Sequence, residues 1–201
     1  MIEQLDQKLF LFLNSINSPW WDKFMVLVSA VLTWVPLYVF VLVLLGIKYK
    51  RTILIIIPIV ILAITASDQL SVHAFKEVFQ RLRPCREPSL AGLVHTVNDR
   101  CPGLYGFVSS HASNSFTFAV LSLGLVRNRW YTVLILFWAV LVAYSRVYLG
   151  VHYPGDIIGG AILGVLVGYG FLMLFQLFDE KIVYNSNFFR PERAKDADNR
   201  Q

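Results

Sequence analysis

The stretch Ser145-Arg146-Val147-Tyr148-Leu149-Gly150-Val151-His152-Tyr153-Pro154-Gly155-Asp156 lies between two long apolar runs. It puts an arginine, a histidine and an aspartate at the edge of a hydrophobic slab. Pro154 and Gly155 read as a turn into the next helix, with the proline near the first helical position. His152 and Asp156 are four residues apart, within side-chain reach once the segment coils. A carboxylate on one imidazole nitrogen fixes the tautomer and leaves the other nitrogen as a nucleophile or base. Arg146 offers a planar fork suited to a phosphate-like oxyanion. Taken alone, the same stretch also reads as an interfacial loop whose charges face lipid headgroups.

The chain around it has 201 residues, room for one domain. With 56% hydrophobic and 15% charged residues, and a mean hydropathy of +0.58, it is wrong for a soluble globule and right for a multi-span membrane protein. The net charge of +5 does not point to nucleic acid, because the basic residues interrupt apolar runs instead of forming one face. Met1 to Lys8 carries Glu3 and Asp6 and is not expected to be a cleavable signal.

The expected fold is an all-α polytopic membrane helix bundle with about five spanning helices and an N-terminal interfacial amphipathic helix. Residues 1–23 hold that helix, with Leu5, Leu9, Phe10, Phe12 and Leu13 set among Glu3, Asp6, Gln7 and Lys8, and Trp20 and Trp21 marking headgroup level. Packing of this helix on the bundle away from lipid is the alternative. Residues 24–178 form the membrane core. Its spans are Phe24–Ile47, Thr52–Phe75 (interrupted by Pro58), His111–Val126, Trp130–Ser145 and Ile157–Phe178, each near the ~20 residues a bilayer requires. Residues 179–201 read as a charged, disordered cytoplasmic tail. Gly160, Gly164 and Gly168 repeat every four residues, a spacing that lets helices approach closely in lipid.

Orientation follows from lysine and arginine placement. The side with loops 48–51 and 127–129 and the tail holds ten of these residues, and the other side eight. Short loops weigh most, and both are basic, so they go to the cytoplasm. Loop 76–110 and the 145–156 segment then face outside. Cys85 and Cys101 share that outer loop, where a disulfide is expected; two unpaired thiols are the other possibility.

Two more motifs carry chemistry. Lys76 and Arg83 are seven apart, two helical turns, so both can face one way before Pro84 breaks the coil. Ser109-Ser110-His111 opens the third span, giving hydroxyls and first-turn N–H groups as an anion cradle with His111 at its rim. Cations, N–H groups, two histidines and an aspartate on one face match the charge of a phosphate ester and its transition state. No acidic cluster is placed to hold a divalent metal, which favours histidine chemistry.

Lys76-x6-Arg83-Pro84, Ser109-Ser110-His111 and Ser145-Arg146-x5-His152-x3-Asp156 resemble the three signature motifs of the type 2 phosphatidic acid phosphatase and vanadium haloperoxidase superfamily, over roughly residues 24–178. The resemblance implies a cofactor-free membrane enzyme that hydrolyses a lipid phosphate or diphosphate through a phosphohistidine. The substrates it implies are polyprenyl diphosphate, phosphatidate, phosphatidylglycerol phosphate or lipid A phosphate. His152 would attack phosphorus, Asp156 would orient it, and His111 would protonate the leaving alkoxide. Lys76, Arg83, Ser109, Ser110 through its N–H, and Arg146 would hold the phosphoryl oxygens. The second motif departs from the usual Pro-Ser-Gly-His, with Val108 for the proline and Ser110 for the glycine. Serine would be strained there if the position demands positive φ.

A lipid phosphotransferase using the same phosphohistidine, and a non-catalytic membrane protein with a relic site, are the rival readings. A haloperoxidase shares the cradle, but the membrane spans argue against it. Of the remaining groups, His73 is expected to be a packed polar residue and His95 solvated. Arg81 and Arg86 are expected to be surface charges, with contact to a substrate headgroup or lipid phosphate as the alternative. Asp68 is either a functional intramembrane acid or the partner of a loop arginine.

Overall fold

The computed structural model describes residues 2–178, so the charged tail lies outside the described residues. Its helices are α1 Ile2–Ser15, α2 Pro19–Ser29, α3 Val35–Tyr49, α4 Ile53–Gln69, the single turn α5 Glu77–Phe79, α6 Ser110–Val126, α7 Arg129–Tyr148 and α8 Pro154–Phe178. A π-helical segment, Leu70–Lys76, joins α4 to α5. Among the described residues the only β pairing is an isolated antiparallel bridge between Leu82 and Tyr105. The protein is an all-α membrane helix bundle.

Helix α6 runs through the centre. Its buried face is mostly small or polar, with Ala112, Ser113, Ser115, Thr117 and Ala119 among it, which lets α8 come close. A Cβ on Gly160 would sit 2.6 Å from the Ser109 carbonyl oxygen, and one on Gly168 would sit 2.9 Å from that of Thr117. Gly164 abuts the Ser113 carbonyl in the same way. Any side chain at these positions would separate the helices.

Val31–Phe79, Arg129–Tyr148 and Pro154–Leu177 are long and apolar enough to cross a membrane. The first, 49 residues, would measure about 74 Å if straight, more than twice a hydrocarbon core. It folds instead into α3 and α4 at the 3₁₀ turn Lys50–Thr52. Leu32, Phe40, Ile61, Leu134, Phe137 and Leu166 are exposed on the outside of the bundle, the surface that lipid tails would cover.

The expected first span is not one helix. Helix α2 ends at Ser29, Ala30 is extended, and a 3₁₀ turn Val31–Trp34 precedes α3. The Trp34 indole N–H donates to the Val28 carbonyl at 2.7 Å, and the Ser29 hydroxyl accepts from Arg146. The first of these bonds occupies a carbonyl that the broken ladder releases. The 23/24 boundary drawn from sequence therefore falls inside α2.

At one end of the bundle Lys48 Nζ donates to the Leu125 and Val126 carbonyls, both at 2.8 Å, a cation at the negative end of α6. Loops 48–51 and 127–129 thus share that end. The three signature motifs gather about 25 Å away, at the other end of the 17-residue α6.

Helix α1 is amphipathic on two counts. Phe10 and Asn14 are buried; Phe10 packs edge-on against Tyr153, with centroids 5.4 Å apart. Asn14 donates to the His95, Val147 and Tyr148 carbonyls and accepts from the His95 N–H. Leu5, Leu9, Phe12 and Ile16 form an exposed stripe. The helix is docked on the bundle and still presents an apolar face outward.

Candidate active site

The site is built by three segments that meet at the start of α6. The Arg146–Asp156 connection supplies His152, which is buried along with Asp156. The Asp156 carboxylate lies 3.4 Å from His152 Nδ1 and accepts the Tyr153 N–H at 3.0 Å. Asp156 also reaches the second motif, because its carbonyl accepts the Ser109 N–H at 3.0 Å. Gly106 packs against the His152 and Asp156 pair, since a Cβ there would stand 3.6 Å from His152 Nδ1.

Arg83 Nη1 stands 3.0 Å from His152 Nε2 and donates to the Val151 carbonyl at 3.1 Å. A guanidinium only donates, so Nε2 must be the bare, accepting nitrogen and Nδ1 the protonated one. Burial, and then the charges of Arg83, Arg146 and Lys76, push the His152 imidazole well below its ordinary pKa. It is held as a neutral base with its lone pair facing the cations.

Lys76 and Arg83 do converge, but not on one helix as their spacing had implied. The coil stops at Phe79, Gln80 is left-handed with φ 48°, and residues 81–83 run extended. Arg83 N–H donates to Leu104 and Gly106 N–H to Arg81, so side chains alternate and Arg81 and Arg83 both point inward. The chain reversal brings Arg83 back towards Lys76. Lys76 Nζ donates to Ser110 Oγ at 2.5 Å, and Ser110 also contacts Ser71 Oγ at 2.6 Å.

Ser109 is the N-cap of α6, with φ −72°, and its buried hydroxyl accepts from the Ala112 N–H. Ser110 is the first helical residue and is not among the positive-φ positions, so serine fits where the family motif has glycine. Its N–H belongs to a first turn that has no carbonyl four residues back. His111 lines one cavity with Ser29 and Ser110 and is near the charges of Arg146, His152 and Lys76. Arg146 is buried and holds the Ser29 hydroxyl. The eight residues named from sequence therefore cluster at the start of α6, with Ser110 and His111 also lining a cavity.

Two guanidinium N–H groups in that cluster, Arg83 Nε and Arg146 Nε, are buried with no hydrogen-bond partner. Among the described residues, no carboxylate pairs with Lys76, Arg83 or Arg146. Buried cations left uncompensated are costly, and an oxyanion placed between them would remove that cost.

The family profile of the PAP2 superfamily matches residues 57–180. The chain belongs to the PAP2 superfamily. A lipid A 4′-phosphatase of Bacteroides thetaiotaomicron is 39% identical over 175 residues, 86% of this chain and 78% of that protein. The crystal structure of a transmembrane PAP2-type phosphatidylglycerolphosphate phosphatase from Bacillus subtilis superposes with a TM-score of 0.66 at 26% identity, over 92% of this chain and 89% of that one. LpxE of Aquifex aeolicus gives 0.64 at 28% identity, over 84% and 95%.

Within this PAP2 site, sequence reading missed Arg81, Asp6 and Gly106. Arg81 is no surface charge: it bridges Asp156 Oδ1 and Asp6 Oδ2, each at 2.8 Å, and lies 4.1 Å from the Tyr153 ring centroid. Asp6 also accepts the Gly155 N–H at 2.8 Å, so α1 reaches the turn that carries His152 and Asp156. A Cβ at Gly106 would stand 2.8 Å from Asp156 Oδ2. The Arg-Leu-Arg alternation at 81–83 was the available signal; nothing local marked Asp6.

Other expectations change. His95 is not solvated, since its Nε2 lies 2.9 Å from Asp22 Oδ1. His73 is exposed rather than packed, between Gln69 and Glu77 on one helix face. Asp68 meets Asn114 instead of an arginine, whereas Arg86 is exposed as expected and donates to the Cys101 carbonyl. Cys85 and Cys101 form a disulfide with Cα atoms 6.0 Å apart.

Proposed function

We infer that this PAP2 protein is a membrane lipid phosphatase that works through a phosphohistidine on His152. The observation that carries the reading is the bare Nε2 of His152 facing Arg83, with buried guanidinium N–H groups still lacking acceptors. A bound phosphoryl group displaces Arg83 from Nε2 and takes N–H bonds from Arg83, Arg146, Ser110 and the Lys76 ammonium, with the Ser109 hydroxyl completing the set. Nε2 attacks phosphorus as the P–O bond to the lipid breaks. His111, as imidazolium, gives its proton to the leaving oxygen. Asp156 offsets the positive charge of the phosphorylated ring. Water then attacks phosphorus and gives a proton to His111, the P–N bond breaks, and Nε2 regains its lone pair. Every charge this cycle needs is supplied by side chains and N–H groups of the chain, so it requires no metal.

The named relatives act on lipid A and phosphatidylglycerol phosphate, and a lipid phosphate is the substrate proposed here. The lipid keeps its tails beside the apolar helices and lifts its phosphate to the end of α6. The exposed stripe on α1 supports its placement at the interface. The clustering of loops 48–51 and 127–129 at the far end supports five spans, α3, α4, α6, α7 and α8, with the site outside and the 179–201 tail in the cytoplasm.

A panel of lipid phosphates tests the reading, with purified protein in detergent and EDTA present. Wild type is expected to release phosphate, and His152→Ala to lose activity by about 10⁴-fold or more. Activity that survives the substitution, or that requires Mg²⁺, contradicts it. Transfer of phosphate to an added alcohol in preference to water would make the chain a phosphotransferase.

A further inference from the structure

A cavity of about 560 Å³ opens beside His111, walled mostly by apolar side chains such as Tyr38 and Trp138. Its inner end is polar in a way that phosphoryl transfer does not use. Asn114 lies one turn beyond His111 on α6, and its Nδ2 donates to Asp68 Oδ1 at 3.2 Å. A carboxylate accepts, so the amide orientation is fixed by its partner. Asn114 Oδ1 then points away from Asp68, buried and with no hydrogen-bond partner. No lysine or arginine among the described residues is within ion-pair distance of Asp68. One unmet acceptor, Asn114 Oδ1, and the Asp68 carboxylate therefore face a largely apolar space, which also holds the unpartnered indole N–H of Trp138, next to the group proposed to protonate the leaving oxygen. Buried acceptors without donors are uncommon in folded chains.

We propose that Asn114 and Asp68 form a subsite for the leaving group, accepting hydroxyl or amide N–H donors borne close to the phosphate carbon of a sugar or glycerol headgroup. This rests on the lipid phosphatase reading and on His111 marking the leaving-group side. A polyprenyl chain, or a glycerol carrying only esters, brings no donor and leaves Asn114 Oδ1 unmet. A site built to hydrogen-bond a substrate hydroxyl discriminates strongly against the analogue that lacks it. The substrate class selected is thus a phosphomonoester on a hydroxyl- or amide-bearing headgroup.

The test compares two lipids with the same acyl chains in the same micelles: phosphatidylglycerol phosphate, whose phosphate has a hydroxyl on the neighbouring carbon, and phosphatidate, which has none. Wild type is expected to favour the former in kcat/KM by at least about tenfold. Asn114→Leu, which keeps volume and removes both polar atoms, brings that ratio to within about threefold. Asp68→Asn lowers the same ratio and serves if the first variant does not fold. No preference in wild type overturns the subsite, as does an equal loss on both lipids, which marks a role in packing or in placing Lys76. Phosphate release from neither lipid overturns the subsite as drawn, and only its absence across the whole lipid panel overturns the phosphatase reading itself.

Discussion

The pocket has two unlike walls. On one, Asp6, Arg81, Asp156 and the Nδ1 edge of His152 form an unbroken chain of hydrogen bonds and ion pairs, with Arg81 sharing its two nitrogens between two carboxylates. On the other, Arg83, Arg146 and Asn114 each keep a buried polar atom with no partner. The first wall is complete before substrate arrives and fixes where the imidazole points. The second is incomplete and is finished by what binds. Positioning and binding are thus carried by different residues, and substitutions on the two walls should not look alike.

Arg146→Met gives the largest difference between them. Loss of one buried phosphate ligand is expected to lower kcat/KM by about 10²–10³-fold. Removing an uncompensated buried charge should leave thermal stability unchanged or raised; a clear fall in Tm would show that Arg146 is structural. Arg81→Met should behave in the opposite way. It strands two carboxylates, so a destabilisation of about 3 kcal/mol is expected, with a kcat loss smaller than that of Arg146→Met. Denaturation in detergent with parallel kinetics separates the two patterns. If both variants lose rate and stability in equal proportion, the contrast between the walls fails.

The tautomer sharpens the same contrast. The depressed pKa means that the folded protein takes up a proton at His152 only at a pH well below the usual histidine value of about 6.5. The unfolded chain binds that proton first as pH falls, so this group's contribution to stability is present above pH 6.5 and lost below it. Nitrogen NMR of labelled histidine should find His152 neutral at pH 6, protonated on Nδ1 and bare on Nε2. An imidazolium at that pH would contradict the arrangement. The smallest effect is expected at His73, exposed and paired only along its own helix. His73→Ala should change stability by less than about 0.5 kcal/mol and leave turnover as in wild type.

Sequence was a good guide where the signal is local. The Gly160, Gly164 and Gly168 spacing showed the face on which α8 meets α6. The four-residue step from His152 to Asp156 placed the acid near its imidazole. It was a poor guide where the chain reverses. Lys76 and Arg83 were expected to share a helix, and they meet only because Gln80 turns left-handed and 81–83 runs extended. That same reversal turns Arg81 inward, which a helical reading hides. Asp6 is 150 residues from Asp156, and no periodicity links them. The break after Ser29 was equally invisible, because an uninterrupted apolar run carries no mark of where the Trp34 indole will take up a carbonyl freed from the helical ladder.

The most direct measurement is a quench. Enzyme mixed with lipid carrying labelled phosphate, stopped in base within one turnover and digested, should yield a base-stable, acid-labile phosphopeptide that contains His152, with the phosphate on Nε2. Label on another residue, or none at a time when product is already forming in a burst, would contradict the account.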